Sequence, residues 1–142
     1  MVGNLVSEVS PGSIRRADQM MKRCLIVDDS SVIRQVAKHI LSSPEMLVVE
    51  AASGADALDI CSHGKPDIIV VDHLLQDMNS CELIARIMGL YEEDKPAILL
   101  CMCELDIGLL MRAKRAGARG YIQKPFTRQI LLESLREFLT DA

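Results

Sequence analysis

Five short apolar runs, each followed by a helix-length stretch, limit what this chain can fold into more than any other feature. The runs are Cys24-Leu25-Ile26-Val27, Met46 to Ala51, Asp67 to Val71, Ala97 to Cys103 and Gly120 to Gln123. A strand with one face in water alternates apolar and polar residues, whereas a strand covered on both faces reads as a continuous apolar run. Continuous runs separated by helical segments therefore predict an α/β fold, a doubly wound parallel sheet of five strands with helices on both faces.

The segments between the runs carry helix signals. Ser30 or Ser31 can cap a helix that places Val32, Ile33, Val36, Ala37, Ile40 and Leu41 along one face. Ser53 and Gly54 open a second helix, closed by Gly64 and Pro66. A third carries Leu83, Ile84, Ile87 and Met88, and a fourth carries Ile107, Leu110, Met111 and Ala113 before stopping at Gly117, where positive φ costs glycine little. Thr127 caps the last helix, with Ile130, Leu131, Leu135, Phe138 and Leu139 on its apolar side. Residues 21–142 are expected to form one domain. Residues 1–20, with Ser10-Pro11-Gly12-Ser13 and no sustained periodicity, read as a flexible N-terminal arm or a non-native extension.

Composition excludes several function classes. With 49% hydrophobic and 25% charged residues, the 142-residue chain can bury a sizeable core. A formal net charge of −4 gives no general attraction to nucleic acid or to anionic membrane, and no apolar run has the length of a membrane span. The five cysteines are odd in number, lie mostly in apolar runs and include no CxxC pair, so they read as reduced thiols of a cytoplasmic protein. Cys101 and Cys103 with a histidine fit no zinc spacing.

The chemistry gathers at the strand ends. The first run ends in Asp28-Asp29, the third in Asp72, and the fifth in Lys124-Pro125-Phe126. Ligands of open parallel sheets bind outside the carboxyl ends of the strands, so these residues are expected to converge. Crowded carboxylates repel unless a cation neutralises them, and Mg²⁺ suits an all-oxygen set of this kind. An aspartate can attack a phosphoryl group and form an acyl phosphate, and a lysine beside it can balance the transferred charge.

In these motifs the chain from about Lys22 to Leu139 resembles the receiver domain of two-component response regulators, in its stand-alone, CheY-like form. The matching residues are Ile26-Val27-Asp28-Asp29-Ser30, Asp72 after four apolar residues, Ala116-Gly117-Ala118-Arg119-Gly120-Tyr121, and Lys124-Pro125-Phe126. The resemblance implies a flavodoxin-like fold with strand order 2-1-3-4-5, the order known for CheY-like receivers. It implies that Asp72 is the phospho-acceptor and that Asp28, Asp29, Asp72 and the backbone carbonyl of Leu74 serve Mg²⁺, Asp28 through water. Lys124 would pair with the phosphoryl group, across a Lys124-Pro125 bond that is a candidate for cis, and Tyr121 falls at the switch aromatic. The partners implied are a histidine kinase or histidine phosphotransferase and a downstream protein bound through the fourth helix, fifth strand and fifth helix, where Arg112, Lys114, Arg115 and Arg119 cluster. The resemblance implies no enzyme with its own substrate, no nucleic acid or membrane partner, and a monomer or weak dimer.

Two departures accompany the resemblance. Receivers usually carry Ser or Thr near the end of the fourth strand, and counting back from Lys124 gives Met102 while counting forward from Pro96 gives Cys101. The loop after Asp72 reads Leu75-Gln76-Asp77-Met78-Asn79-Ser80 in place of the usual Met-Pro-x-Met-Asp-Gly. A pseudo-receiver, an interaction module independent of phosphorylation, is therefore the alternative. A haloacid-dehalogenase-type phosphatase would want a second acid two residues after Asp72, where this chain has Leu74.

Overall fold

The computed structural model describes residues 21–139, so the expected N-terminal arm lies outside the described residues. Strands β1 (Lys22–Val27), β2 (Met46–Ala51), β3 (Ile68–Asp72), β4 (Ala97–Met102) and β5 (Gly120–Gln123) alternate with helices α1 (Ser31–Leu41), α2 (Gly54–His63), α3 (Ser80–Met88), α4 (Ile107–Ala116) and α5 (Arg128–Leu139). The five strands pair in parallel throughout the sheet, in the order β2-β1-β3-β4-β5. The order reverses between β1 and β3, which brings the C-terminal ends of those two strands side by side.

Two apolar layers sandwich the sheet, as the continuous runs require. Val27, Val71, Leu100 and Met102 face α2, α3 and α4, packing with Ala57, Leu83, Ile87 and Leu110. Ile26, Val70, Cys101 and Ile122 face α1 and α5, packing with Ala37, Leu41, Leu131 and Leu135. Every residue of β3 and β4 is buried, which accounts for their lack of alternation.

The helix caps follow local chemistry. Ser30 is the cap of α1, its side chain accepting from Ile33 N, and Ser53 does the same for Asp56 N on α2. Thr127 Oγ1 accepts from Ile130 N at 3.1 Å at the start of α5. Gly117 closes α4 at φ 130°, and a Cβ there would stand 2.7 Å from Met88 Cγ. The helix faces are narrower than their periodicity suggests: Val32 and Val36 on α1, Ile107 and Met111 on α4, and Ile130 on α5 are exposed. On α1, α4 and α5 one rim of the apolar stripe extends past the sheet into solvent, and the residues buried there are Ala37 and Leu41, Leu110 and Ala113, and Leu131 and Leu135.

Candidate functional site

The residues at the ends of β1, β3 and β5 converge as the strand runs imply. Asp28 continues β1, its N donating to Ala51 O at 3.1 Å, and Asp72 is the last residue of β3. Both carboxylates are buried, whereas Asp29 is exposed. Lys124, directly after β5, donates from Nζ to Asp28 Oδ2 at 3.0 Å and to Asp72 Oδ1 at 2.8 Å. Such charge-assisted bonds are the short, strong ones. Burial alone would lower the Lys124 pKa, but its hydrogen bonds to Asp72 and Asp28, together with their charges, outweigh it and raise the pKa above the ordinary lysine value. The Lys124-Pro125 peptide is cis, as the resemblance implied.

The backbone and neighbouring side chains hold these groups in place. Asp28 Oδ1 accepts from Ser30 N at 2.9 Å, and Arg34 on α1 donates to the Asp28 carbonyl at 2.7 Å while its Nε meets Glu50 at 3.0 Å. Arg34 carried no signal in the sequence, because its part depends on α1 turning back over the end of β1. The loop after Asp72, which departs from the family pattern, is anchored all the same. Asp77 accepts from Gly54 N at 3.0 Å and Ala55 N at 2.9 Å at the N-terminus of α2, and these bonds hold its carboxyl below the usual carboxylate range. Asn79 then caps α3 by accepting from Cys81 N and Glu82 N.

Asp28, Asp29 and Asp72 each bring one carboxylate oxygen to within 4.8 Å of the others, and no similar cluster of His, Cys, Asp and Glu occurs among the described residues. Three carboxylates against one ammonium leave a formal charge of −2, and hard oxygen donors with a residual negative charge match a divalent hard cation. The residues present fit Mg²⁺. Leu74, whose carbonyl was expected to join them, has an exposed side chain in the loop that follows.

The strand registers separate the two candidates for the fourth-strand position. Asp72 pairs with Cys101, Leu100 with Tyr121 and Met102 with Gln123. Cys101 therefore faces α1 and α5, where burial first, and then the charges of Asp72 and Asp28 against that of Lys124, push its thiol up to about 12. Met102 stands on the opposite face, which by the alternation of the strand is also that of Tyr121. Its side chain is fully buried, its Sδ lies 3.4 Å from Asp106 N, and its carbonyl accepts from Lys124 N at 2.8 Å. Tyr121 is 37% exposed on the edge strand.

His73, weighed in the sequence only as a partner of Cys101 and Cys103 at zinc, stands beside this corner. His73 N donates to Cys101 O at 2.8 Å, extending the β3–β4 ladder by one residue, and His73 Nδ1 lies 3.1 Å from the same carbonyl and 3.7 Å from Asp72 Oδ1.

Comparison with known proteins gives the same assignment. The family model for the response regulator receiver domain matches residues 24–136. The chain belongs to the response regulator receiver family. As a receiver it is 33% identical over 119 residues to the chemotaxis protein CheY of Thermotoga maritima, covering 83% of this chain and 98% of that protein. It is 31% identical over 118 residues to CheY of Listeria monocytogenes, covering 82% and 98%. The structure of CheY4 from Vibrio cholerae superposes with a TM-score of 0.77 at 30% identity, over 84% of this receiver and 99% of that chain. Family and fold together make this a CheY-like receiver domain of two-component signalling.

Proposed function

We propose that this receiver accepts a phosphoryl group on Asp72 from the phosphohistidine of a histidine kinase or histidine phosphotransferase, and that it signals by phosphorylation-dependent protein binding. The observation that carries the reading is Lys124 held between Asp28 and Asp72 at the strand ends, with Asp29 beside them. A carboxylate oxygen of Asp72 attacks phosphorus; the P–N bond of the donor breaks, and the imidazole leaves with the electron pair and takes up a proton. Lys124 lies where a cation can balance the charge of the transferred group. Asp28, Asp29, Asp72 and the Leu74 carbonyl would hold Mg²⁺, Asp28 through water, and the ion would neutralise charge at the phosphoryl oxygens.

The outgoing partner is a protein that docks on α4, β5 and α5. Exposed Ile107, Met111, Tyr121 and Ile130 offer apolar anchors, while Arg112, Lys114, Arg115 and Arg119 add positive charge suited to an acidic surface. No helix among the described residues is long and apolar enough to cross a membrane. The proposal takes the protein as cytoplasmic and as a monomer or weak dimer. The activity proposed is signalling rather than turnover of a separate substrate. The pseudo-receiver reading is favoured by one observation, the fully buried thioether of Met102 at the position where receivers present a hydroxyl.

Mass spectrometry after incubation with a phosphohistidine donor or a small acyl phosphate and Mg²⁺ tests the proposal. One added phosphate, absent in Asp72→Asn, is expected. Labelling that persists in Asp72→Asn would move the acceptor elsewhere, and a wild type that takes no label from any donor would leave the pseudo-receiver. A Mg²⁺ titration followed by amide shifts should saturate at millimolar concentration or below, and Asp29→Asn should weaken it.

A further inference from the structure

The α4 side of the corner lacks a hydroxyl, yet it does not lack a donor. Asp72 shares the face of Cys101, so by strand alternation His73 stands on the face of Met102 and Tyr121. There it forms a wall of the cleft beneath the β4–α4 loop, together with Cys103, Glu104 and Asp106. A carbonyl oxygen can only accept, so the 3.1 Å contact with Cys101 O requires that His73 Nδ1 carry the hydrogen. His73 Nδ1 lies 3.7 Å from Asp72 Oδ1, within the reach of oxygens carried by a group bonded to this carboxylate.

We propose that His73 supplies the donor that Met102 cannot: its Nδ1–H leaves the Cys101 carbonyl for an oxygen of a phosphoryl group carried by Asp72. The inference rests on the proposed acceptance of phosphate at Asp72. Two features make the exchange favourable. Phosphoryl oxygens are anionic acceptors, and bonds to them are shorter and stronger than bonds to a neutral carbonyl. Cys101 O also accepts from His73 N at 2.8 Å, so releasing the side chain leaves no orphaned acceptor. The hydrogen stays on nitrogen throughout, and no change of charge state is involved. A phosphoryl group would then be gripped by Lys124 from the β5 side and by His73 from the α4 side, and the ring movement would be felt in the loop that leads into α4.

Fluorine NMR of the Mg²⁺–beryllofluoride complex of the full chain tests this, because the fluorides occupy the places of phosphoryl oxygens and report their hydrogen bonds individually. In His73→Phe one fluorine resonance should move while the one beside Lys124 stays, and beryllofluoride affinity should fall about tenfold, the lower end of what a hydrogen bond to a charged acceptor contributes. His73→Asn, whose amide nitrogen falls close to the place of Nδ1, should restore both. In the wild type the Nδ1–H signal should persist and shift when beryllofluoride binds, which tests the same point without a substitution. Identical fluorine spectra and affinity in wild type and His73→Phe, or an imidazole signal untouched by beryllofluoride, would overturn the role of His73 and leave phosphate acceptance standing. Failure of the wild type to bind beryllofluoride with Mg²⁺ would remove both.

Discussion

The corner formed by β1, β3 and β5 and the neighbouring end of β4 lie on one sheet edge, yet they are built on different principles. At the corner, a buried lysine lies 3.0 Å and 2.8 Å from two buried carboxylates, so charge is concentrated and matched. At the end of β4, Met102 is fully buried within the apolar α2–α4 layer, and its Sδ lies 3.4 Å from Asp106 N. The groups that would take a phosphoryl group are thus present in full, while the residue expected to report its arrival has become part of the core. If Asp72 takes a phosphoryl group as proposed, the His73 beside it is the donor proposed for the α4 side.

The comparison can be broken most strongly at Lys124. Lys124→Met leaves two buried carboxylates without their cation, and loss of one partner of a buried pair costs about 3–5 kcal/mol. Urea unfolding should show that loss, and millimolar Mg²⁺ should recover part of it by binding only the folded acids. A variant as stable as wild type would mean that the corner is not held by charge. The raised Lys124 pKa adds a pH signature. The lysine's contribution is complete below its unfolded value of 10.5 and is lost only as pH rises through the higher folded value, so stability from this pair should persist through neutral and mildly alkaline solution.

Next in size is Met102→Thr. Removing a fully buried methionine side chain from the α2–α4 layer should cost about 2–4 kcal/mol, part of it a cavity and part a buried hydroxyl. In return, the new hydroxyl should enlarge the movement of Tyr121, α4 and α5 on beryllofluoride binding, without being needed for labelling at Asp72. Full Tyr121 reorientation in wild type, unchanged in Met102→Thr, would show that the end of β4 plays no part in the response.

Gly117→Ala sharpens the contrast on the α4 side. At φ 130° and with Met88 Cγ only 2.7 Å from a new Cβ, it should destabilise the protein by about 1–3 kcal/mol, read as a lower thermal midpoint with the acid corner still able to bind Mg²⁺. The smallest effect is expected at Asp77. Asp77→Ala frees the N–H groups of Gly54 and Ala55 and should lower the midpoint slightly. Because the folded pKa of Asp77 is depressed, its contribution is complete above about 3.8 and fades as pH falls through the folded value, so wild type and Asp77→Ala should converge in stability in acid. A difference that grew on acidification would contradict the cap.

Much of this was legible from one dimension because burial leaves a mark in composition. β3 and β4 are buried at every residue and therefore read as unbroken apolar runs, and the acids are legible because each follows such a run directly. The helical faces were legible only in part. Val32, Val36, Ile107, Met111 and Ile130 keep helical spacing and yet stand in solvent, since spacing shows which side of a helix is apolar and not how far the sheet reaches beneath it. Asp77 reads as loop erosion in the sequence, because its partners at Gly54 and Ala55 belong to another crossover.

The sequence by itself determined the layered parallel architecture, the family, and the meeting of Asp28, Asp29, Asp72 and Lys124, because buried strands demand apolar runs and a parallel sheet gathers all its strand ends at one edge. Only the tertiary structure set Cys101 and Met102 on opposite faces, with Met102 on that of Tyr121, and only it brought Arg34, Asp77 and His73 to their partners. The physical reason is register. A shift of one residue between β3 and β4 would exchange the faces of Cys101 and Met102 and remove the Cys101 carbonyl from His73, and that register is set by the packing of both layers rather than by any local pattern.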